Sequence, residues 1–275
     1  MRYLAFLLLT TLLLAACSAP PVPTPAPTPL IGRIAFVGST TIQPLVEKLQ
    51  PGYGQLYPDM QLDIAAGGSV VGINAIREGS ADIGMVSREL RSDELSPGIE
   101  AFPIAIDVLG IVVHSSNPVT NLNLTQLQGI YNGKIVNWRD LGGADLLIVP
   151  IVREVSSGTR GAFDDLVLEG QAPIPSANVQ VTAGEVEAKV AETPAAIGYV
   201  GFGNLKLNVK VLAIDGVQPS QQSVLDKSYR LSRPLQLLIG PLSRSIARTF
   251  ITFALSDEGQ RIIAADGWVP VRELK

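Results

Sequence analysis

The chain has 275 residues, of which 47% are hydrophobic and 17% charged, and its formal net charge is −4. This is the composition of a globular protein, and the acidic balance argues against a nucleic-acid partner, which would call for a basic face. A single cysteine excludes internal disulfides and a cysteine-based metal site, and a single histidine leaves little room for histidine-based catalysis. Because the carboxylates show no metal-ligand spacing, we expect neither a metal nor a cofactor.

The N-terminus predicts export. Arg2 precedes an apolar run from Tyr3 to Leu14, and small residues follow, which is the pattern of a secretory signal over residues 1–16. The ending Leu-Ala-Ala-Cys resembles a bacterial lipobox, so we expect Cys17 to carry fatty acyl chains such as palmitate; the alternative is an ordinary signal with an incidental cysteine. Residues 17–32 are rich in proline and predict an extended tether.

The first folded segment alternates strands and helices. Residues 33–37 predict a strand, and a helix follows from about residue 42, capped by Thr40 or Thr41 and broken or kinked at Pro51-Gly52. Residues 61–66 predict a second strand, Gly67-Gly68-Ser69 opens a second helix that ends at Gly79, and residues 81–87 predict a third strand. This alternation indicates an α/β fold with a largely parallel sheet.

The remaining elements continue this alternation. Apolar runs predict strands at 104–114, 146–152, 196–203, 209–217 and 234–240. Helical patterns cover 124–133, 159–168, 185–194, 243–256 and 257–267, and residues 137–143 read as a loop. After the N-terminal region, about 240 residues remain, which is enough for one large domain or two lobes.

Three turns share a hydroxyl-rich composition. Residues 38–41 (GSTT), 67–69 (GGS) and 156–159 (SSGT) each follow a predicted strand and open a predicted helix. Backbone N–H groups, the positive end of a helix dipole and hydroxyl donors together form a setting for an anion. Strand ends of an open parallel sheet face one crevice, so the turns can converge on one ligand, with Arg153 beside the third. Simple helix capping is the alternative for each turn.

Rival chemistries fit less well. The phosphate-binding loop GxxxxGK[ST] is absent, and Gly67-Gly68-Ser69-Val70-Val71 departs from the GxSxG nucleophile elbow at its last position. A secreted serine hydrolase that uses Ser69 or Ser157 stays open as an alternative, with His114 as the sole histidine that could serve as its base.

A family resemblance covers most of the chain from residue 33 onward. It is carried, in order, by residues 38–45 (GSTTIQPL), 65–90, 132–143, 153–160 (REVSSGTR), 229–235 (YRLSRPL) and 254–271. These stretches resemble the phosphate-binding lipoproteins of ABC phosphate importers, a type II periplasmic-binding-protein family. The resemblance implies a two-lobe, hinge-closing α/β fold in which each lobe is a mostly parallel sheet flanked by helices. It implies two crossings, near residues 107–114 and 229–234, with residues 33–108 and 233–275 in one lobe and 113–230 in the other.

The resemblance also implies which residues contact the anion. They are Ser39, Thr40, Thr41, Ser69, Ser87, Arg153, Ser157, Gly158 through its backbone N–H, and Thr159. Well-known family members carry an aspartate where Ser87 stands and another where Val155 stands. A carboxylate there would accept a hydrogen bond from a protonated phosphate oxygen and repel unprotonated sulfate. Ser87 can accept through its lone pairs, Asp107 and Glu154 are further candidate acceptors, and Arg88 is expected to add positive charge at the rim of the cleft.

The expected function is therefore binding rather than catalysis. The resemblance implies a monomeric, lipid-anchored, extracytoplasmic protein that captures inorganic phosphate and delivers it to permease subunits served by an ATPase, with no nucleic acid involved. The alternatives are a binder of another tetrahedral oxyanion, such as sulfate, molybdate or tungstate, a surface sensor without a transport role, and the serine hydrolase.

Overall fold

The computed structural model describes residues 30–205 and 209–272. The predicted signal, Cys17 and nearly all of the tether lie outside the described residues. The strands are β1 (Gly32–Gly38), β2 (Met60–Ala66), β3 (Ile83–Val86), β4 (Glu100–His114), β5 (Asn121–Leu122), β6 (Val149–Arg153), β7 (Asn178–Gln180), β8 (Ala196–Gly201), β9 (Val209–Val211), β10 (Ala213–Ile214), β11 (Ser232–Ile239) and β12 (Val269–Pro270). The helices are α1 (Gln43–Leu56), α2 (Ser69–Glu78), α3 (Leu124–Tyr131), α4 (Gly158–Val167), α5 (Ala183–Glu192), α6 (Gln221–Leu225), α7 (Ala247–Ala254) and α8 (Asp257–Ala265).

Of the break or kink predicted for α1 at Pro51-Gly52, the break is wrong. The helix runs through Pro51 to Leu56, because the turn beyond the proline is anchored by tertiary packing. Tyr53 is buried against Phe250, and its hydroxyl lies 2.6 Å from Thr249 Oγ1. Packing of this kind outweighs the hydrogen bond and the helix propensity lost at a proline.

Other boundaries also differ from the sequence pattern. The N-cap of α1 is Ile42, which makes no side-chain cap, so neither Thr40 nor Thr41 serves as one. The loop at 137–143 contains a 3₁₀ turn at Trp138–Leu141, and the strand at 209–217 is two short strands that pair with different neighbours. Helix α7 begins at Ala247 rather than at residue 243. These differences arise from tertiary pairing and capping that a local pattern does not record.

The sheet is mixed rather than largely parallel. Its strand order is β2-β1-β3-β11-β4-β8-β6-β7, with β9 and β12 also paired to β4. The trios β2-β1-β3 and β8-β6-β7 are each parallel, as predicted from the alternation of strands and helices. The long strands β4 and β11 separate them and pair antiparallel with each other and with their outer neighbours. Strand β4 carries the chain from the first trio to the second, and β11 carries it back. The two strands therefore run in opposite directions.

The two largest clusters of buried apolar residues are built on different strands of this sheet. One cluster includes Ile34, Phe36, Leu45, Leu237 and Phe250, and another includes Leu127, Tyr131, Phe163, Tyr199 and Tyr229. We call the part of the chain around the first cluster, with β1–β3, α1, α2, β11, α7 and α8, the first lobe. The part around the second cluster, with α3–α6 and β5–β10, is the second lobe.

Strand β4 passes from one lobe to the other. Residues 100–108 of β4 pair with β11, whereas residues 109–113 pair with β8. At the change of partner, the Leu109 N–H donates to the Leu231 carbonyl across 2.8 Å. The outgoing and returning segments therefore lie side by side, and we call residues 107–109 and 231–233 the hinge.

This arrangement brings the ends of β1, β2 and β6 to the boundary between the lobes. Each of these strands leads through a short turn into a helix, α1, α2 or α4. Within the described ranges, no helix has the length and apolar character needed to cross a membrane.

Two glycines of α1 provide a test of its packing. A Cβ on Gly54 would meet nothing within 4 Å, whereas one on Gly52 would lie 2.8 Å from Phe253 Cζ and 3.0 Å from Ile262 Cδ1. We expect Gly54→Ala to raise the free energy of unfolding in urea by about 1 kcal/mol through helix propensity. Gly52→Ala should not raise the free energy of unfolding, because its Cβ would displace Phe253 of α7 and Ile262 of α8. An equal gain for both variants would contradict the packing described here.

Candidate functional site

The turns of the first lobe form a buried cluster of hydroxyl groups. Ser39, Thr41, Ser69 and Ser87 are all buried, and Ser39 Oγ donates to Ser87 Oγ across 2.9 Å. Ser69 Oγ accepts the Ser87 N–H at 3.1 Å, so the first two turns and the end of β3 are hydrogen-bonded together. Gly38 makes this approach feasible, because its φ is 137° and a Cβ there would lie 2.4 Å from the Met85 carbonyl oxygen.

The turn of the second lobe places the start of α4 at the same boundary. Ser157 is the N-cap of this helix, and its Oγ accepts the Arg160 N–H at 3.3 Å. Gly158 and Thr159 are the first two helical residues, whose N–H groups have no acceptor within the helix. These N–H groups carry the positive end of the α4 dipole, which favours an anion.

The two lobes are in contact through these turns. Thr41 Oγ1 lies 3.1 Å from Thr159 Oγ1, and Arg153 Nη2 donates to Thr40 Oγ1 across 3.1 Å. The Ser156 carbonyl accepts the Val70 N–H at 3.1 Å, so backbone as well as side chains join the lobes. The cleft between the lobes is therefore closed in this structure.

Gly158 lies where the lobes approach most closely. A Cβ at this position would lie 2.1 Å from Ser69 Oγ and 2.6 Å from Ser87 Oγ. Any side chain would therefore hold the lobes apart. This close approach gives a physical reason for glycine in the serine-glycine-threonine turn.

Arg153 is the buried cation of the site. Its side chain is at the end of β6 with 1% of the residue exposed, and its Nη2 also donates to the Val181 carbonyl at 2.7 Å. Its Nε and Nη1 are buried without a hydrogen-bond partner. Burial lowers the pKa of Arg153 to about 10, and the positive charge of Arg233 acts in the same direction. The guanidinium stays protonated at neutral pH, and two of its donor nitrogens are free to bind an anion.

The structure brings the sequence-predicted contact residues of both lobes together. Those that take part in the hydrogen bonds and close approaches above are Ser39, Thr40, Thr41, Ser69, Ser87, Arg153, Ser157, Gly158 and Thr159. Their hydroxyl groups can each donate to an oxyanion, and the N-termini of α2 and α4 add backbone donors. The arrangement is therefore a set of neutral donors around one cation, closed by contact between the lobes.

The prediction that Arg88 adds positive charge at the rim is wrong. Arg88 is 3% exposed, and its two terminal nitrogens each lie 2.6 Å from a carboxylate oxygen of Glu94. This paired geometry neutralises the charge locally. Arg88 supports the first lobe through this ion pair.

The two candidate acceptors differ in position. Asp107 is fully buried in the hinge, where its Oδ2 accepts Arg233 Nε at 3.0 Å and Nη2 at 2.7 Å. Burial raises the pKa of Asp107, while Arg233 and the Phe202 N–H counter this by stabilising the carboxylate. Glu154 is half-buried and accepts Ser156 Oγ at 2.5 Å. Both carboxylates therefore already have hydrogen-bond donors within the protein.

Val155 does not face the site. Its side chain is 83% exposed, although it lies between Arg153 and the hydroxyl turn in sequence. The missing carboxylate at this position therefore says little about how the protonated oxygen of an anion would be recognised.

Sequence reasoning assigned no role to Arg233, which the structure places beside the site. It is 3% exposed, and its Nη2 lies 3.5 Å from Thr41 Oγ1. Its Nη1 is buried without a partner, as are two nitrogens of Arg153. The sequence offered one signal for it, which is that Arg233 precedes Pro234 within the predicted second crossing. The first predicted crossing contains Asp107.

The arrangement expected of a hydrolase is not found here. His114 Nδ1 lies 2.7 Å from Ser116 Oγ at the far end of β4. Ser69 and Ser157 hydrogen-bond instead to serine and backbone groups. Within residues 30–205 and 209–272, no group of histidine, cysteine and carboxylate side chains could hold a metal ion.

Comparison with known proteins agrees with this geometry. Residues 23–258 match the family model described as a PBP superfamily domain. The phosphate-binding protein PstS of Bacillus subtilis is 30% identical over 251 residues, which cover 89% of this chain and 82% of the relative. PstS of Pseudomonas aeruginosa is also 30% identical, over 87% of this chain and 83% of its own length.

Two solved structures are similar over almost their whole length. One is a putative phosphate ABC transporter substrate-binding protein with bound phosphate from Clostridium perfringens, with a TM-score of 0.83, 34% identity, and coverage of 88% of this chain and 100% of that one. The other is an ABC-type phosphate transport receptor from Vibrio cholerae, with a TM-score of 0.73, 32% identity, and coverage of 86% and 99%. The chain therefore belongs to the PBP superfamily and, within it, to the family of PstS phosphate-binding proteins.

Proposed function

We propose that the protein captures inorganic phosphate between its two lobes and delivers it to the permease of an ABC transporter. The observation that carries this proposal is the buried guanidinium of Arg153, which keeps two donor nitrogens without a partner among the hydroxyl turns. A buried cation in this setting is stabilised by an anion. The names of the relatives and the phosphate bound in the Clostridium perfringens protein favour phosphate as that anion.

Closure of the lobes is part of the proposal. We infer a first lobe of residues 33–108 and 233–275 and a second lobe of 113–230, a division supported by the separate apolar clusters. An anion that bonds both lobes binds the closed state more tightly than an open one, and so shifts the population towards it. Each hydrogen bond to a charged group contributes about 1.5–3 kcal/mol, and micromolar affinity requires about 8 kcal/mol net. The difference between the gross and the net figure can offset the desolvation of the anion and the closure of the hinge.

Binding rather than catalysis follows from the composition of the site. Hydroxyl groups, backbone N–H groups and one guanidinium can hold a tetrahedral oxyanion, but the site brings no base to Ser69 or Ser157. Chemical turnover by these serines would need such a base. We therefore propose a substrate-binding protein without enzymatic activity.

A second candidate ligand is another tetrahedral oxyanion such as sulfate, molybdate or tungstate. The observation that keeps it open is that Asp107 and Glu154 already accept hydrogen bonds within the protein. Recognition of a protonated phosphate oxygen then falls to lone pairs of serine and threonine hydroxyls, which serve as donors to sulfate equally well. We expect weaker discrimination against sulfate than a free carboxylate would give.

Replacement of Arg153 tests the proposed function. By isothermal titration calorimetry, we expect the wild-type protein to bind phosphate and Arg153→Met to bind it about 100-fold more weakly or worse, because a charge-assisted contact at the buried centre is lost. The ligand-free variant should melt at the wild-type temperature or above, since a buried unpaired charge is removed. Arg139→Met is the matched control, because Arg139 is an exposed arginine of the same lobe. No heat with wild-type protein and phosphate would refute the proposal.

Introducing a carboxylate tests how the anions are discriminated. Ser87→Asp places an acceptor in the buried cluster beside Gly158, so we expect the ratio of phosphate to sulfate affinity to rise about 10-fold or more. Val155→Asp adds the same carboxylate at an exposed position and should leave the ratio unchanged. Titration of both variants with both anions measures this. A shift with Val155→Asp alone would show that the second position governs selectivity.

We further propose that the protein is extracytoplasmic and anchored to the bacterial membrane through lipid on Cys17. The proposal rests on the signal-like residues 1–16, the lipobox-like ending and the proline-rich tether. We expect Cys17→Ser to move the protein from the membrane fraction to the soluble extracytoplasmic fraction. Immunoblotting of the fractions measures this, and continued membrane attachment would contradict lipidation at Cys17.

A further inference from the structure

A buried ion pair lies in the hinge beside the site. Asp107 on β4 and Arg233 on β11 are directly opposite in the antiparallel register, one step on the first-lobe side of the crossing between Val108 and Leu109. The side chains are 0% and 2% exposed, and Arg233 Nη2 lies 2.7 Å from Asp107 Oδ2. We call Asp107 and Arg233 the hinge ion pair.

The pair uses only part of the donors of Arg233. Nε and Nη2 both donate to Asp107 Oδ2, whereas Nη1 is buried with no hydrogen-bond partner. An orphaned guanidinium nitrogen inside a protein is unfavourable, and structural ion pairs normally satisfy such groups. An ion pair that served only to stabilise the hinge would therefore be expected to give Nη1 a hydrogen-bond partner as well.

The free nitrogen belongs to a guanidinium that adjoins the anion site. Arg233 Nη2 lies 3.5 Å from Thr41 Oγ1, and Thr41 Oγ1 in turn lies 3.1 Å from Thr159 Oγ1 at the start of α4. Arg153 approaches the same turn, because its Nη2 donates to Thr40 Oγ1 across 3.1 Å, one residue before Thr41. Two like charges held near each other in a buried region point to a shared anionic partner.

We propose that Arg233 is a second guanidinium of the anion site, whose Nη1 donates to the bound tetrahedral oxyanion while Asp107 fixes its orientation. The proposal rests on the proposed function, since it adds a ligand contact to the same site. Arg153 would hold the anion from the second lobe and Arg233 from the returning strand of the hinge.

Asp107 has two consequences for this contact. Its carboxylate balances Arg233 when the anion is absent, so the hinge does not bury an uncompensated charge. Its Oδ1 also accepts the Phe202 N–H of the second lobe at 3.1 Å. An anion held by Arg233 is thereby connected to both lobes through one side-chain pair.

The alternative is that the hinge ion pair is a structural brace that never contacts the anion. The two roles predict different results for the two partners. If the pair is only a structural brace, removing either partner lowers the stability of the protein to a similar extent. Any fall in anion affinity should then follow the fall in stability. If Arg233 contacts the anion directly, only removal of the arginine removes a contact, whereas neutralising Asp107 removes a negative charge near a bound dianion.

The test compares Arg233→Met, Arg233→Lys and Asp107→Asn in the protein by phosphate calorimetry and by thermal melting without phosphate. We expect Arg233→Met to weaken phosphate binding about 10- to 100-fold, and Arg233→Lys to weaken it less because the charge is kept. Asp107→Asn should lower the melting temperature, since one acceptor is lost, and should weaken phosphate binding less than Arg233→Met does, because the guanidinium itself is kept. Arg244→Met is a control for the loss of an ion pair, because Arg244, whose own side chain is exposed, forms a two-point ion pair with a buried carboxylate of the first lobe, Asp82, away from the hinge. It should lower stability and leave the affinity unchanged.

Two results would overturn the inference. One is wild-type affinity in Arg233→Met. The other is an equal loss of affinity in Arg233→Met and Asp107→Asn that follows their loss of stability.

Failure of the proposed function gives a different result. If the wild-type protein binds sulfate or molybdate instead of phosphate, phosphate capture is refuted. The same variants titrated with that anion then still decide the role of Arg233.

Discussion

The rest of the structure depends on one constraint, which is the burial of the Arg153 guanidinium with too few acceptors. A charged group enclosed by protein must be paired with an opposite charge or be strongly unfavourable. Here the surroundings supply two protein oxygens to Nη2 and none to Nε or Nη1. Hydroxyl groups and helix N-termini, which can all donate hydrogen bonds, complete the environment. A site built from donors around a cation favours an anion, and the proposed function rests on this preference.

The mixed sheet positions the turns and helix N-termini that surround Arg153. Each parallel trio brings strand ends and helix N-termini to the boundary between the lobes, and the antiparallel strands β4 and β11 connect the trios. Because both crossings are adjacent, the lobes can close around a ligand by changes at a few hinge residues. The hinge ion pair lies at this point. If Arg233 binds the anion as proposed, residues of the hinge also belong to the anion site.

Sequence reasoning was strongest where local chemistry determines local structure. The hydroxyl turns open helices as predicted, because serine, threonine and glycine are favoured where backbone N–H groups must be satisfied or approached closely. It was weakest where a distant contact decides the outcome. Pro51 does not end α1 because Tyr53 is anchored by Phe250 and Thr249. Arg88 is neutralised by Glu94, and Val155 is exposed although its neighbours are buried.

The sequence by itself determined the strand-turn-helix units, the three donor-rich turns and Arg153 beside one of them, since these follow from residue types at short spacing. The resemblance it carries added the two-lobe arrangement and phosphate as the expected ligand. Only the tertiary structure decided which charges are free. Arg88, Arg153 and Arg233 look alike in sequence, but partners far along the chain determine how many of their nitrogens are satisfied. Asp107 and Arg233 are 126 positions apart, and their pairing arises only because the chain crosses between the lobes twice.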